Sequence, residues 1–376
     1  MASDTPERHE RARDAEGNLP TLRRGWTTGA CATAATKSAL TALLTGEFPD
    51  PVEILLPKGE MPGFALARQS LGGGTAMAAI IKDAGDDPDV THLAEIIARI
   101  RFGQPNSGIT FHAGEGVGTV TLDGLPIPPG EPAINPVPRA LMRAVVEELC
   151  EAHGRPADVA IEIAVTGGAA LAEKTWNPRL GIVGGLSILG TTGIVHPFSC
   201  SAWIHSIHRG IDVSRAAGLT HVVGATGSSS EDAARALYPD LPEIAFLDMG
   251  DFAGGLLNYL RTHPVARVTV AGGFAKLTKL AAGALDLHSG RSQVDFAFLN
   301  ALVTRLDPER GEALGERILG ANTAKSVLDL CHAEGIDLAA AVAEAALATV
   351  LDTLRGAEVE AEVIVVDRAG AVIARA

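Results

Sequence analysis

The chain has 376 residues, which is long enough for two or three domains with sizeable cores. Its residues are 47% hydrophobic and only 4% aromatic, which indicates a globular protein rich in small aliphatic side chains rather than a disordered one. The formal net charge of −14 argues against a nucleic-acid partner, because an acidic surface repels polyanions.

The N-terminal segment and the cysteines predict a cytoplasmic protein. Residues 1–19 are highly charged and lack the apolar stretch of a signal peptide, so we expect a disordered tail there. No apolar run reaches the ~20 residues of a membrane span, and no membrane partner is expected. The cysteines are far apart and form no CxxC pair, so no metal site is expected and the thiols should be reduced. They are Cys31, Cys150, Cys200 and Cys331.

The first predicted element of the folded part is a helix over residues 30–44 that ends at Gly46. Thr27 and Thr28 are N-cap candidates, and Gly29 allows a tight turn into the helix. Free N–H groups at the helix start, beside two hydroxyls, would form an anion site. A well-capped, alanine-rich core helix explains the same pattern more simply.

The next part of the chain is rich in strands. Strands are predicted over 52–56, 64–70, 76–82, 96–102 and 109–112. A glycine-bounded hairpin over 115–125, a helix over 139–152 and a strand over 159–165 follow. Strands in the middle and helices near each end predict an α+β domain over residues 20–155.

An acidic loop follows the third of these strands. Residues 82–91 place Asp83, Asp86, Asp87 and Asp89 within seven positions. Such a cluster favours a hard cation or a general base, although its spacing is not that of a calcium loop. A solvated turn, in which the carboxylates bond to nearby backbone, is the simpler interpretation.

Residues 173–197 form the stretch that is densest in glycine. The loop Gly190-Thr191-Thr192-Gly193 lies near its end, and His196 follows shortly afterwards. A loop of this kind can cradle a ligand, or it can be a tight crossing between two elements, and the sequence does not separate these alternatives.

From residue 219 onwards, strands and helices alternate. Strands are predicted over 220–225, 243–247 and 267–271, with helices over 231–238, 252–261 and 274–284. This alternation predicts an α/β, Rossmann-like, doubly wound parallel sheet in a C-terminal domain over residues 156–376. Additions to this domain are helices over 295–306, 322–333 and 338–355 and terminal strands over 361–367 and 371–374.

Ligands of such sheets bind at the carboxyl ends of the strands. The run Gly224-Ala225-Thr226-Gly227 follows the first strand, and an acid ends the second strand about 20 residues later, where ribose hydroxyls are commonly bound. The full GxGxxG motif is missing, which disfavours an NAD-dependent oxidoreductase, and an ordinary turn explains the run equally well. The cofactor-binding candidates are Gly224, Thr226, Gly227, Asp248, Gly272 and Gly273.

Seven longer strings occur in a fixed order. They are GWTTGACATAATK, KDAGDDPDVT, EGVGTVTLDGL, GEPAINPVPR, EKTWNPRLGIVGGLSILGTTGIVHP, AGGFAKLTKLAAGALDLHS and ANTA. Over about residues 20–370 the chain closely resembles the CbiD family, the cobalt-precorrin-5B C-1-methyltransferases of corrin-ring biosynthesis. The resemblance implies two domains and methyl transfer from S-adenosylmethionine to C-1 of a contracted tetrapyrrole, giving cobalt-precorrin-6A and S-adenosylhomocysteine.

One departure from the family pattern opens two alternatives. Family members often carry Gly-His-x-Gly-Lys where this chain has Gly272-Gly273-Phe274-Ala275-Lys276. The missing histidine is compatible with methylation of a metal-free precorrin. It is also compatible with a protein that binds or carries a tetrapyrrole without turnover.

The implied chemistry selects the remaining candidates. A sulfonium methyl transfer needs collinear reactants in a dry site, with a base that removes a proton as the ring rearranges. The candidate bases are Asp83, Asp86, Asp87, His196 and His288. A ring rich in carboxylates needs cations and hydrogen-bond donors, although a surface charge is the simpler interpretation of each cation alone. The substrate-binding candidates are Thr27, Thr28, Lys37, Arg139, Lys174, Arg179, Thr191, Thr192 and Lys276. The apolar C-terminal helix and strand leave a homo-oligomer open.

Overall fold

The computed structural model describes residues 22–376, and the predicted tail over 1–19 lies outside the described residues. The described chain forms two compact units. Unit 1 contains the described residues up to Thr119 together with Glu131–Thr175 and Val183–Ser199. Unit 2 contains Val120–Gly130, Trp176–Ile182 and Cys200–Ala376. The mixed α and β composition is confirmed, and the predicted domain limits stay a prediction.

The described residues contain sixteen strands and eleven α-helices. The strands are β1 Gly25–Trp26, β2 Val52–Glu53, β3 Gly63–Phe64, β4 Arg68–Gly72, β5 Thr75–Ile81, β6 Glu95–Phe102, β7 Ile109–Ala113, β8 Thr119–Val120, β9 Val159–Val165, β10 Ile182–Val183, β11 Ile194–Val195, β12 His221–Ala225, β13 Phe246–Asp248, β14 Arg267–Gly273, β15 Glu360–Val366 and β16 Val372–Arg375. The helices are α1 Thr28–Thr45, α2 Pro136–Ala152, α3 Gly168–Ala172, α4 Cys200–Ala216, α5 Ser228–Leu237, α6 Ala253–Thr262, α7 Phe274–Ala281, α8 Phe296–Leu306, α9 Pro308–Leu319, α10 Ala324–Ala333 and α11 Leu338–Leu354. Among residues 22–376, none of the helices is long and apolar enough to cross a membrane.

Helix α1 covers the predicted range 30–44 and extends it by two residues at its start and one at its end, before the predicted stop at Gly46. The Thr27 side chain accepts the N–H of Ala30, and Gly46 ends the helix with a φ of 90°. Its alanine face is fully buried against the sheet of unit 1, where Ala78 of β5 and Ala98 of β6 are also fully buried. Small side chains on both surfaces let the helix and the sheet approach closely.

The main sheet of unit 1 has the strand order β4-β5-β6-β9-β7. All neighbours are antiparallel except β7 and β9, which are parallel. Strand β9 pairs with β6 along its whole length, and it therefore lies in unit 1 although it follows the predicted boundary at residue 155.

The hairpin predicted over residues 115–125 is wrong. Within that range the structure has only the short strand β8. The carbonyls of Glu115 and Gly116 accept N–H groups from Val165 and Leu186, residues far away in sequence. This stretch is therefore held by non-local pairing, which a local alternation pattern does not reveal.

The main sheet of unit 2 has the order β13-β12-β14-β15-β16, in which the first four strands are parallel and β16 is antiparallel to β15. Residues 268–271 of β14 are all fully buried, as expected of a parallel strand covered on both faces. The sequence analysis assigns no helix to α3, α4 or α9. In α9 only Gly311, Leu314 and Ile318 are buried, so its apolar pattern is sparse.

A test of the packing in unit 1 is available at Gly25. Its backbone lies so close to the loop after β5 that a Cβ would stand 2.0 Å from the carbonyl carbon of Ala84. Because backbone atoms cannot move aside cheaply, Gly25→Ala should destabilise the protein by about 3 kcal/mol. Gly63→Ala is the control, since its Cβ would meet nothing closer than 3.7 Å. Equal urea unfolding midpoints for the two variants would contradict the packing described here.

Candidate functional site

The predicted cofactor-binding residues of unit 2 lie along one edge of its parallel sheet, the edge formed by the carboxyl ends of the strands. Ala225 at the end of β12 stands opposite Asp248 of β13 on one side and Ala271 of β14 on the other. Thr226 and Asp248 therefore follow or end adjacent strands at their carboxyl ends. The N–H of Met249 donates to the Ala225 carbonyl over 2.9 Å, which joins the loop after β13 to β12.

Both backbone polar groups of Thr226 are held. Its N–H donates to the Ala271 carbonyl over 2.9 Å, and its carbonyl accepts from Lys276 Nζ over 2.7 Å. Gly272 leaves the space that the Thr226 side chain occupies, because a Cβ there would stand 2.9 Å from Thr226 Cγ2. At Gly227 and Gly273, by contrast, a Cβ would meet no atom within 4 Å.

Asp248 is the acidic group at this edge. Burial raises its pKa, and the neighbouring Glu231 carboxylate raises it further. Its backbone carbonyl accepts from the indole nitrogen of Trp203 over 3.0 Å. The Trp203 ring is 44% exposed and lies beside Gly250. An exposed indole and a carboxyl group with a raised pKa therefore lie together at the end of β13.

Trp203 and Asp251 were not among the residues predicted from the sequence. Asp251 Oδ1 lies 3.1 Å from Lys276 Nζ. The signal for Asp251 was available, since it follows closely after the acid that ends β13. Trp203 had no such signal in the sequence, because no helix was predicted where α4 lies.

Other predicted residues of unit 2 make contacts within the chain. The Arg179 guanidinium binds both oxygens of Glu231 at 2.9 and 3.1 Å, and it lies near the Trp176 ring. Lys279, a neighbour of the candidates, is buried and donates to the Leu287 carbonyl over 2.8 Å. His288 accepts the N–H of Gly290 at Nδ1, which stabilises a turn.

In unit 1 the structure brings the glycine-rich loop to the start of α1. The N–H of Gly29 donates to the Leu189 carbonyl over 3.0 Å, and the N–H of Thr27 donates to the Gly193 carbonyl over 2.9 Å. Thr27 and Thr28 are both buried. The helix start is therefore covered by the loop. Thr191 is exposed on that loop, and Thr192 accepts the N–H of Ile194.

The aspartates of the acidic loop have different environments. Arg23 binds Asp83 and holds the pKa of that carboxyl below its usual value. Asp86 accepts the Arg23 N–H over 2.7 Å. Asp87 accepts the N–H of Phe198 over 2.7 Å, and burial raises its pKa. The pKa of Asp87 is therefore raised, whereas that of Asp83 is lowered.

The remaining predicted cations of unit 1 differ in their contacts. Arg139 donates to the Ile134 carbonyl over 2.8 Å and binds Glu131, so it fixes the segment before α2. In the described part of the chain, the side chains of Lys37 and Lys174 form no hydrogen bond or ion pair. His196 is exposed two residues before Phe198. Within residues 22–376, no three His, Cys, Asp or Glu side chains are grouped to hold a metal ion.

A carboxylate, a lysine and open glycines at the carboxyl ends of parallel strands are typical of α/β proteins that bind small ligands. The family model described as CbiD matches residues 15–197, and the model described as CbiD, C-terminal domain matches residues 286–376. The chain belongs to the CbiD family.

Two similar relatives carry the same name, cobalt-precorrin-5B C(1)-methyltransferase. The protein of Brucella anthropi is 66% identical over 94% of this chain and 95% of its own length. The protein of Brucella abortus is 67% identical over the same shares. A solved structure described as cobalamin biosynthesis protein (cbiD) from Archaeoglobus fulgidus is 27% identical and covers 72% of this chain and 83% of its own, with a TM-score of 0.40.

The two glycines at the end of β14 give a matched pair of variants. In Gly272→Ala the new Cβ would clash with the Thr226 side chain, and the variant should destabilise the protein by about 1–3 kcal/mol. Gly273→Ala meets no atom, and its φ of −66° suits alanine, so it should be neutral or stabilise by about 0.4–1 kcal/mol. Urea unfolding measures both changes. A loss of stability in Gly273→Ala equal to that in Gly272→Ala would show that the edge is packed differently.

Asp89 provides a pH-dependent test. Burial raises the pKa of Asp89, but the charge of Lys82 and hydrogen bonds from Lys82 and Thr91 outweigh it and leave the pKa lowered. Lys82 is only 2% exposed, so Asp89→Asn leaves a buried cation without its partner charge and should cost about 3–5 kcal/mol at pH 7. Because the pKa of Asp89 is lower in the folded protein than in the unfolded chain, the charged carboxylate stabilises the fold at pH values above the ordinary carboxyl pKa of about 3.9. This stabilisation is lost as the pH falls through the pKa of the folded state.

The stability difference between the wild-type protein and Asp89→Asn should therefore be large at pH 7 and shrink below about pH 4. Asp329→Asn is the control, because it breaks the exposed pair with Lys325 and should change stability by less than about 1 kcal/mol. Urea unfolding at both pH values measures the difference. Equal effects of the two variants at pH 7 would contradict the buried pair.

Proposed function

We propose that this protein transfers a methyl group from S-adenosylmethionine to C-1 of cobalt-precorrin-5B, giving cobalt-precorrin-6A and S-adenosylhomocysteine in cobalamin biosynthesis. The observation that carries the proposal is the 66% identity, over 94% of the chain, to a relative named cobalt-precorrin-5B C(1)-methyltransferase. Identity at this level over nearly the whole length leaves little room for a different reaction class.

The C-terminal part of the chain is proposed to be a Rossmann-like, doubly wound domain, with an α+β domain before it. Four parallel strands in the order β13-β12-β14-β15, separated in sequence by α5, α6 and α7, support this interpretation. The limits proposed from the sequence are 20–155 and 156–376.

The donor site is proposed at the carboxyl edge of the unit 2 sheet. S-adenosylmethionine, when bound, supplies an electrophilic methyl group on its sulfonium. Asp248 would accept hydrogen bonds from ribose hydroxyls, as an acid at the end of a second strand commonly does. The open space at Gly227 and Gly273 fits a ligand that approaches the backbone, and Gly224 and Gly272 allow the close packing behind it. Thr226 would present its fixed peptide to the ligand.

The proton acceptor is proposed among Asp83, Asp86, Asp87, His196 and His288, and Asp87 has the best support. A general base works best when its pKa approaches the working pH, and burial moves the pKa of Asp87 in that direction. Its bond to Phe198 orients the carboxylate.

We propose that hydroxyl groups and cationic side chains bind the substrate carboxylates. Lys37 and Lys174 have their ammonium groups available, and Thr191 is exposed. Thr27, Thr28, Thr192, Arg139 and Arg179 remain candidates, although each already contacts the chain or is buried. We further propose a cytoplasmic location, a small tetrapyrrole as partner and no nucleic-acid or membrane partner. A homo-oligomer stays open, and a measurement of the oligomeric state would decide it.

The experiment is an anaerobic incubation with methyl-labelled S-adenosylmethionine and either cobalt-precorrin-5B or its metal-free form. We expect label in the cobalt-containing ring, and Asp248→Asn should raise the KM for the donor about tenfold because a charged acceptor is lost. Asp329→Asn serves again as the control. Label only in the metal-free ring would select that substrate instead. Calorimetric binding of the ring without binding of S-adenosylhomocysteine would indicate a carrier and overturn the proposal.

A further inference from the structure

Lys276 stands where a lysine is electrostatically unfavourable. It is the third residue of α7, in the first turn of the helix. The N-terminal end of a helix carries a partial positive charge, so a cation there is disfavoured and acidic residues are the usual choice. A local rule broken at the edge of a candidate site calls for a compensating interaction.

The compensation comes from two neighbouring loops. Lys276 Nζ donates to the Thr226 carbonyl over 2.7 Å, and it pairs with Asp251 Oδ1 over 3.1 Å. Thr226 follows β12, Asp251 lies in the loop after β13, and Lys276 itself follows β14. One ammonium group therefore joins the loops after three adjacent parallel strands.

The ion pair is only partly shielded from water. The side chain of Lys276 is 37% exposed and that of Asp251 is 23% exposed. A pair of this exposure contributes little to folding stability. Its geometric effect is larger. Lys276 holds the peptide between Thr226 and Gly227 through the Thr226 carbonyl, and the preceding peptide is held by the bond from the Thr226 N–H to Ala271. The backbone of Gly227, which comes next, is then presented in one orientation.

We propose that Lys276 is a positioning residue of the methyl-donor site, acting through the Thr226 carbonyl and held in place by Asp251. This inference rests on the proposed function, since it concerns the site for S-adenosylmethionine. It differs from the expectation that Lys276 binds a substrate carboxylate, because both of its bonds are made to the protein. Asp251, which was not among the residues predicted from the sequence, becomes part of the same arrangement.

The test compares Lys276→Met, Lys276→Arg and Asp251→Ala in the full chain. Calorimetry with S-adenosylhomocysteine gives the donor-site affinity, and thermal unfolding gives the stability. Lys276→Met should weaken S-adenosylhomocysteine binding about tenfold, with little change in the unfolding midpoint and in the KM for the tetrapyrrole. Lys276→Arg should recover affinity to within about threefold, because a guanidinium can donate to both the carbonyl and the carboxylate.

The double variant gives the decisive comparison. If Lys276 and Asp251 act through the same contact, the double variant Lys276→Met with Asp251→Ala should lose about as much affinity for S-adenosylhomocysteine as a single variant. Lys325→Met is the matched control, because it breaks an exposed lysine–aspartate pair on α10 of the same unit. Unchanged S-adenosylhomocysteine binding in Lys276→Met, or a change only in the KM for the tetrapyrrole, would overturn the inference. Failure of the wild-type protein to bind S-adenosylhomocysteine would instead refute the proposed function.

Discussion

The peptide between Thr226 and Gly227 is the constraint on which the candidate site of unit 2 depends. Its carbonyl is fixed by Lys276, and the peptide before it is fixed by β14, because the Thr226 N–H donates to the Ala271 carbonyl. Because β12 also pairs in register with β13, the position of Asp248 relative to this peptide follows from the sheet itself. The strands thus set the distances at the edge, and the single lysine sets the orientation of the backbone there.

Glycine has a different role in unit 1. The loop that contains Gly190 covers the start of α1, and a Cβ at Gly190 would stand 2.3 Å from Thr27 Oγ1. At the start of α1, the N–H groups of Thr27 and Gly29 donate to the carbonyls of Gly193 and Leu189, and the N–H of Ala30 donates to the Thr27 side chain. The glycine-rich string and the threonine string therefore belong to one packed structure, and only the outer surface of the loop is left for a ligand.

Much of this could be predicted from local signals, and the rest depends on distant partners. Helix α1 was predictable from its N-cap and its C-terminal glycine, and the alternation of strands and helices revealed the parallel sheet of unit 2. The stretch around Gly116 was not predictable, because its carbonyls bind residues about 50 and 70 positions away. The partnership of Lys276 with Thr226 and Asp251 was hidden for the same reason, since three loops must be assembled before it exists.

The charge of the chain places a condition on how a carboxylate-rich ring is recognised. A net charge of −14 opposes the approach of a polyanion. Electrostatic attraction to the ring must therefore come from short-range contacts in a site from which water is excluded when the ring binds. Arg139 and Arg179 already neutralise Glu131 and Glu231, and a cation bound in this way adds little net positive potential. Among the proposed substrate-binding residues, Lys37 and Lys174 form no ion pair within residues 22–376, and these lysines and neutral donors such as Thr191 are therefore the favoured candidates for binding the ring carboxylates. Neutral donors have an advantage here, because they bind an anion without requiring a second buried charge.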